Sequence, residues 1–186
     1  MNFNRYITEA EFSELAAFIR REGVVRRFAR GERLSGQGLR SHRCGLVVQG
    51  AFRYVYADAA GEEHVVGYAF AGEFVGDYIS MCVDAPSQVT IGAMCGAEAL
   101  LVPGERLETF YRTDAACERL GRRLAEHMLA EVYERLLDRY AASPQQRYEA
   151  LTKRCPDVLQ LVPLRELASY LGVRPETLSR IRRRVR

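Results

Sequence analysis

Glu176 and Arg180 stand four residues apart in "PETLSRIRRRVR", the last twelve residues of a 186-residue chain. That spacing puts both on one side of a helix. A carboxylate there can accept from the amino group of cytosine, and a guanidinium can donate two bonds to guanine, so the pair has the chemistry of a reader of base edges. Thr177, Arg182, Arg184 and Arg186 are placed for phosphates, and Arg174, Ser179 and Arg183 complete the candidate DNA-facing set. At 100° per residue, Leu178, Ile181 and Val185 fall on the inner side, while Glu176, Arg180 and Arg183 point away.

Charge is distributed to match. The net charge is only +3, yet residues 141–186 hold ten Lys/Arg against four Asp/Glu, leaving seventeen against twenty in the rest. A cationic end on a slightly acidic body fits a polyanion partner.

Other chemistries find little footing. His42, His64 and His127 are widely spaced with no H-x-H, which argues against a histidine-ligated metal centre of cupin type. Cys44, Cys82, Cys95, Cys117 and Cys155 contain no C-x-x-C and are odd in number, so they read as small buried hydrophobes rather than a disulfide framework. "GERLSGQG" lacks the lysine of a phosphate loop, and no nucleophile–base arrangement is legible, so no enzyme is expected.

The elements that must hold the terminal motif follow from periodicity. Thr8-x-x-Glu11 is a capping box opening a helix over about residues 9–22, with Gly23 as its stop. From Val24 to Pro103, short strand-like runs broken by glycines predict a β domain, whose clearest hairpin is "FRYVYADAAGEEHVVGYAF" with Phe52, Tyr54 and Tyr56 on one face. After Thr113, taken as an N-cap, helical spacing returns in two rows: Leu120, Leu124, Met128, Val132 and Leu136, and Leu129, Tyr133, Leu137 and Tyr140. So broad an apolar face on a helix of about 27 residues predicts a second copy of the chain as its partner. Ser143-Pro144-Gln145-Gln146 restarts the chain with a capping box. "LRELASYLG" followed by the Pro-initiated "RPETLSRI" is then a helix-turn-helix layout. The expected fold is α+β: a β domain over residues 1–112, a dimerisation helix and hinge over 113–142, and an all-α helix-turn-helix domain over 143–186.

With those stretches in hand, the chain resembles the Crp/Fnr family of bacterial transcription regulators along nearly its whole length, which implies that the β domain over residues 1–112 is a jelly-roll-like β-roll of cyclic-nucleotide-binding type. "GLVVQGAFRYVYADAAGEEHVVGYAFAGEFVGDYISM" is similar to that family's hairpin and ligand cassette, and "RPETLSRI" to its recognition helix. The resemblance implies that Glu176 and Arg180 read bases, and that Glu73, Phe74, Val75, Gly76, Asp77, Gln88, Val89 and Thr90 line a pocket for a small-molecule effector of unknown identity. It also implies a homodimer through residues 113–140, a near-palindromic duplex and contact with RNA polymerase. Asp77 replaces the ribose-holding glutamate of cyclic-AMP-binding members, and the phosphate-neutralising arginine is replaced near Gln88, so cyclic AMP is not the expected effector. The family's two-stranded wing would begin where "RRRVR" stands, and those arginines are expected to hold phosphates in its place. With Cys44 the first cysteine, the iron–sulfur ligand set of some relatives is missing, and no resident cofactor is expected. A ligand-binding or interaction module that has lost DNA binding is the alternative reading.

"GLVVQGAF" and "ALLVP" are the longest apolar runs, far short of the roughly 20 residues that span a bilayer. The first twelve residues lack a secretory signal layout, so the expected location is the cytoplasm.

Overall fold

The computed structural model describes residues 11–185. Eight strands form between residues 24 and 103: β1 (Val24–Phe28), β2 (Arg33–Ser35), β3 (Arg43–Gln49), β4 (Ala51–Ala57), β5 (Glu63–Phe70), β6 (Phe74–Gly76), β7 (Thr90–Ala93) and β8 (Ala97–Pro103). They build two antiparallel four-stranded sheets, ordered β1-β8-β3-β6 and β2-β7-β4-β5. Phe28, Val47, Phe52, Ala69, Ile91 and Leu101 fill the space between them. This is the expected β-roll.

The hairpin of β4 and β5 carries two apolar faces. Phe52 and Ala69 point into the roll, whereas Ala51, Val55, Val65, Tyr68 and Phe70 point outward. Pairing shifts register between Tyr54↔Gly67 and Val55↔Val65. Val66 is thus an extra residue, and this bulge lets Val65 and Tyr68, three apart in sequence, share one face.

Helices cover both outer faces. On the first sheet, α1 (Ser13–Glu22), α3 (Gly104–Tyr111) and the start of α4 (Ala115–Ala141) bury Leu15, Ile19, Leu107 and Leu124 against Cys44, Leu46 and Val102. On the second, α5 (Pro144–Arg154), α6 (Val158–Leu161), α7 (Leu164–Leu171) and α8 (Pro175–Val185) join Tyr148, Leu151, Val158, Leu167 and Leu178 to the outward residues of the hairpin in one core. The terminal helices therefore have no apolar core separate from the roll. A short α2 (Tyr78–Cys82) follows β6.

Three local expectations change. The cap of α4 is Asp114, whose carboxylate accepts from the N–H groups of Ala116 and Cys117 at 2.8 Å each. Thr113 instead donates to the carbonyl of Thr109 at 3.2 Å. An aspartate outcompetes the neighbouring threonine because the positive helix terminus favours a full negative charge, and the Cys117 N–H, then that of Ala116, holds the Asp114 carboxyl below the usual range. The expected cap Thr8 and the first two positions of the expected helix lie outside the described residues. Glu11 stands ahead of α1 and pairs with Arg123 at 2.9 Å and His127 at 3.1 Å on α4. Finally, Val185, expected inside, is exposed, because it lies beyond the last turn that the core reaches.

Candidate functional site

The terminal motif is built on one turn. After α7, Gly172 takes φ 66° and its N–H bonds the carbonyl of Ser169 at 3.0 Å, while the N–H of Val173 reaches that of Ala168 at 3.0 Å. Only a residue without Cβ adopts that left-handed backbone cheaply. Pro175 then opens α8, where its fixed φ suits the first helical position and no N–H is lost. Leu178 and Ile181 turn inward with Leu167, Ala168 and Leu171.

The opposite side of α8 faces solvent. Arg174, Glu176, Arg180, Arg183 and Arg184 are exposed, and Thr177, Ser179 and Arg182 are partly so. Among the described residues, none of these side chains makes a side-chain hydrogen bond or an ion pair. Their donors and acceptors are open to a partner.

The platform beneath α8 is fixed by polar ties that the sequence did not reveal. Arg147 donates to the carbonyls of Ala142 at 2.7 Å and Leu171 at 3.2 Å, joining the ends of α4 and α7. Arg53 of β4 pairs with Glu166 of α7, and the N–H of Val65 donates to the Ser169 hydroxyl at 2.9 Å. Arg135 of α4 reaches the carbonyl of Val66 at 3.2 Å, and Arg154 of α5 lies 3.8 Å from the buried Glu131 of α4. Arg53, a charge between two aromatic residues in a strand, was the available signal.

The cassette behaves differently. Asp77 accepts from the N–H of Ser80 at 3.1 Å, capping α2, and its second oxygen takes the hydroxyl of the buried Ser87. Glu73 is buried and accepts from the N–H of Phe70 at 3.2 Å. Thr90 accepts from the N–H of Gln37 at 3.1 Å, and the Tyr54 hydroxyl accepts from the N–H of Gly76 at 3.2 Å. A cavity of about 700 Å³ opens beside it, lined by Phe74, Val75, Gly76, Asp77, Gln88 and Val89 but by neither Glu73 nor Thr90. Its other walls come from β3, the β4–β5 hairpin, α1, α2, α3, α4, α5 and α7. Sequence reading located the cassette wall only, although Met128 and Val132 of the α4 row also line the cavity.

The two ends of α4 differ. Cys117, Leu124 and Gly121 are buried, and Gly121 lets the Tyr111 ring close in, since a Cβ there would sit 3.0 Å from it. Farther along, Leu129, Val132, Tyr133, Leu136, Leu137 and Tyr140 are all exposed. Among the described residues, no helix is long and apolar enough to cross a membrane. One group, Asp58, Glu62 and His64 at the hairpin turn, brings metal-ligand atoms within 4.8 Å of one another. Asp58 is already engaged by His64 at 3.0 Å and by the N–H groups of Ala60 and Glu62.

Residues 25–114 match the family model of the cyclic nucleotide-binding domain. No curated protein sequence matches. Among solved structures, FixK2 from Bradyrhizobium japonicum has a TM-score of 0.74 at 17% identity, covering 88% of this chain and 84% of its own. A putative transcriptional regulator of the Crp/Fnr family from Eubacterium rectale has a TM-score of 0.69 at 14% identity, covering 96% and 86%. The c-di-GMP-responsive global regulator CLP of Xanthomonas campestris has a TM-score of 0.63 at 17% identity, covering 96% and 91%. Residues 25–114 thus form a cyclic nucleotide-binding-type domain, and the chain as a whole has the fold of the Crp/Fnr-family regulators.

Proposed function

We propose that this chain is a homodimeric, sequence-specific DNA-binding transcription regulator whose β-roll holds a small-molecule effector other than cyclic AMP. The observation that carries the reading is the solvent face of α8, where Glu176 and Arg180 project with no partner of their own. In that role Glu176 and Arg180 meet base edges, and Arg174, Thr177, Ser179, Arg183 and Arg184 hold phosphates and set register.

The exposed apolar half of α4, from Leu129 to Tyr140, supports a second copy as its cover. A two-fold pair would set two α8 helices about 34 Å apart, matching half-sites one helical turn apart in a near-palindromic duplex. Such a protein works in the cytoplasm beside RNA polymerase. Cyclic AMP is disfavoured because Asp77 is committed to Ser80 and Ser87, and no cationic side chain of the roll lines the cavity among the described residues.

Selection of bound duplexes from a random pool tests the reading. The expected result is an enriched inverted repeat with half-sites about 10 base pairs apart, bound tightly by the native chain and weakly by Arg180→Ala. Binding with equal affinity to every duplex, or to none at low salt, would refute it.

A further inference from the structure

The cavity's chemistry goes further than its position. This step rests on the reading of the β-roll as an effector-holding domain and names the class of effector.

Most polar groups of its roll side are already used. Tyr54 is bonded to Gly76, and Asp77 to Ser80 and Ser87. The Cys44 thiol is held neutral, pushed up to about 12 by burial and then by neighbouring Cys82. Among the described residues, the cations that line the space are Arg135, Arg139, Arg147 and Arg154, all on the last turns of α4 or on α5. Arg135 and Arg147 hold backbone carbonyls, Arg154 lies by Glu131, and the Arg139 guanidinium packs against Gly172, at the end of the space away from the cassette. A phosphate at the cassette would lie in a low-dielectric site without a counter-charge.

Leu15, Ile19, Phe74, Leu107, Leu124 and Met128 make the space between α1, α3, α4 and the cassette apolar, while Gln88, Asp138 and Tyr170 are polar members of the lining. At the apolar end, beside α1 and the start of α4, the polar atom of interest belongs to Tyr111. The Tyr111 hydroxyl is buried with no hydrogen-bond partner among the described residues, and Tyr111 lines this space. Burial raises its pKa, so it stays a neutral donor. A space of about 700 Å³ falls within the usual range for small-molecule sites.

We infer that the cavity binds an uncharged, mainly apolar small molecule whose single oxygen acceptor takes the Tyr111 hydroxyl, and that it does not bind a nucleotide. The dimer proposed above would roof the outer end at Val132 and Leu136 and leave the Tyr111 end to the ligand.

N-phenyl-1-naphthylamine, a neutral apolar fluorophore, serves as the probe on the purified full chain. Saturable binding of one probe per chain is expected, and Met128→Trp, which fills the space, should weaken it about tenfold or more. Val89→Phe fills the same space from the cassette and serves where the first variant fails to fold. Decan-2-one should displace the probe, and about tenfold better than decanoate, which would bring an uncompensated charge. Tyr111→Phe should weaken the ketone roughly three- to tenfold, the worth of one hydrogen bond, and leave the probe itself unchanged. The inference falls if cyclic AMP or cyclic GMP displaces the probe, if decanoate competes better than the ketone, if no probe binds, or if probe binding ignores both filling variants. Duplex binding, followed separately by anisotropy, judges the regulator reading: losing it while the probe results hold would break that reading and leave the cavity assignment standing.

Discussion

The cassette and the last helix use polar side chains in opposite ways. Around β6 and α2, Asp77, Ser87, Thr90 and Tyr54 all bond to their own chain. On α8, Glu176 and Arg180 bond to nothing described. Both stretches are rich in groups that could bind, but a buried polar group must be satisfied within the fold, whereas one on an exposed helix can wait for a partner. The contrast separates a region whose polarity is structural from one whose polarity is available for recognition.

The largest test concerns the helix between them. Leu129→Glu with Leu136→Glu places two charges in the exposed apolar stripe of α4. Sedimentation should change from dimer to monomer, and affinity for a two-half-site duplex should fall about 100-fold or more, because linked binding is lost. The thermal transition of the roll should hold, since neither side chain belongs to its core. A variant that stays dimeric would break the proposed assembly.

A crossed pair of substitutions addresses the contrast itself. Asp77→Ala removes a helix cap and the charged acceptor of Ser87, whose hydroxyl keeps only the Val89 carbonyl at 2.7 Å as acceptor, so it should destabilise the fold by about 1 to 3 kcal/mol, with duplex affinity of the folded protein unchanged. Arg180→Ala should do the reverse: melting is unaltered, and about 1 to 3 kcal/mol of discrimination is lost at one base pair. Denaturant unfolding and competition anisotropy read the two effects. If both substitutions moved the same quantity, the division of roles would be wrong.

A smaller effect is expected where the regions meet. Ser169→Ala leaves the Val65 N–H unbonded between β5 and α7 and should cost about 1 kcal/mol. A melting temperature equal to the parent's would show that this tie does not hold the terminal helices to the hairpin.

How much of this was legible in the sequence depends on range. The capping box of Ser143 and Gln146, the turn at Gly172 and the start at Pro175 depend on neighbours within four residues, and each forms as written. A β domain between Val24 and Pro103 was legible through alternation and glycine breaks, while its roll form came from the resemblance and not from periodicity. The docking of α7 on β5 was not, because it depends on a bulge at Val66 that turns Val65 and Tyr68 to one side, and alternation alone would put residues three apart on opposite faces. On α8, outward direction followed from helical geometry, so Glu176, Arg180 and Arg183 lie exposed where the spacing put them. The cassette was harder, since whether Glu73 or Thr90 faces a cavity or its own backbone depends on loop geometry without a period.

The smallest test reads the cavity wall without perturbing it. Cys44 lines the space and is buried, while Cys82, at the end of α2, is exposed. The thiolate is the form that iodoacetamide alkylates. With the Cys44 pKa raised to about 12, only about one part in ten thousand is ionised at pH 8, and that fraction rises only as the pH approaches 12. Mass spectrometry after brief alkylation at pH 8 should therefore find Cys82 and exposed Cys95 modified and Cys44 intact until denaturant is added. Modification of Cys44 at the rate of Cys82 would mean that the wall beside the cassette is wet enough to hold a thiolate, and its low polarity could not then be what excludes a charged ligand there.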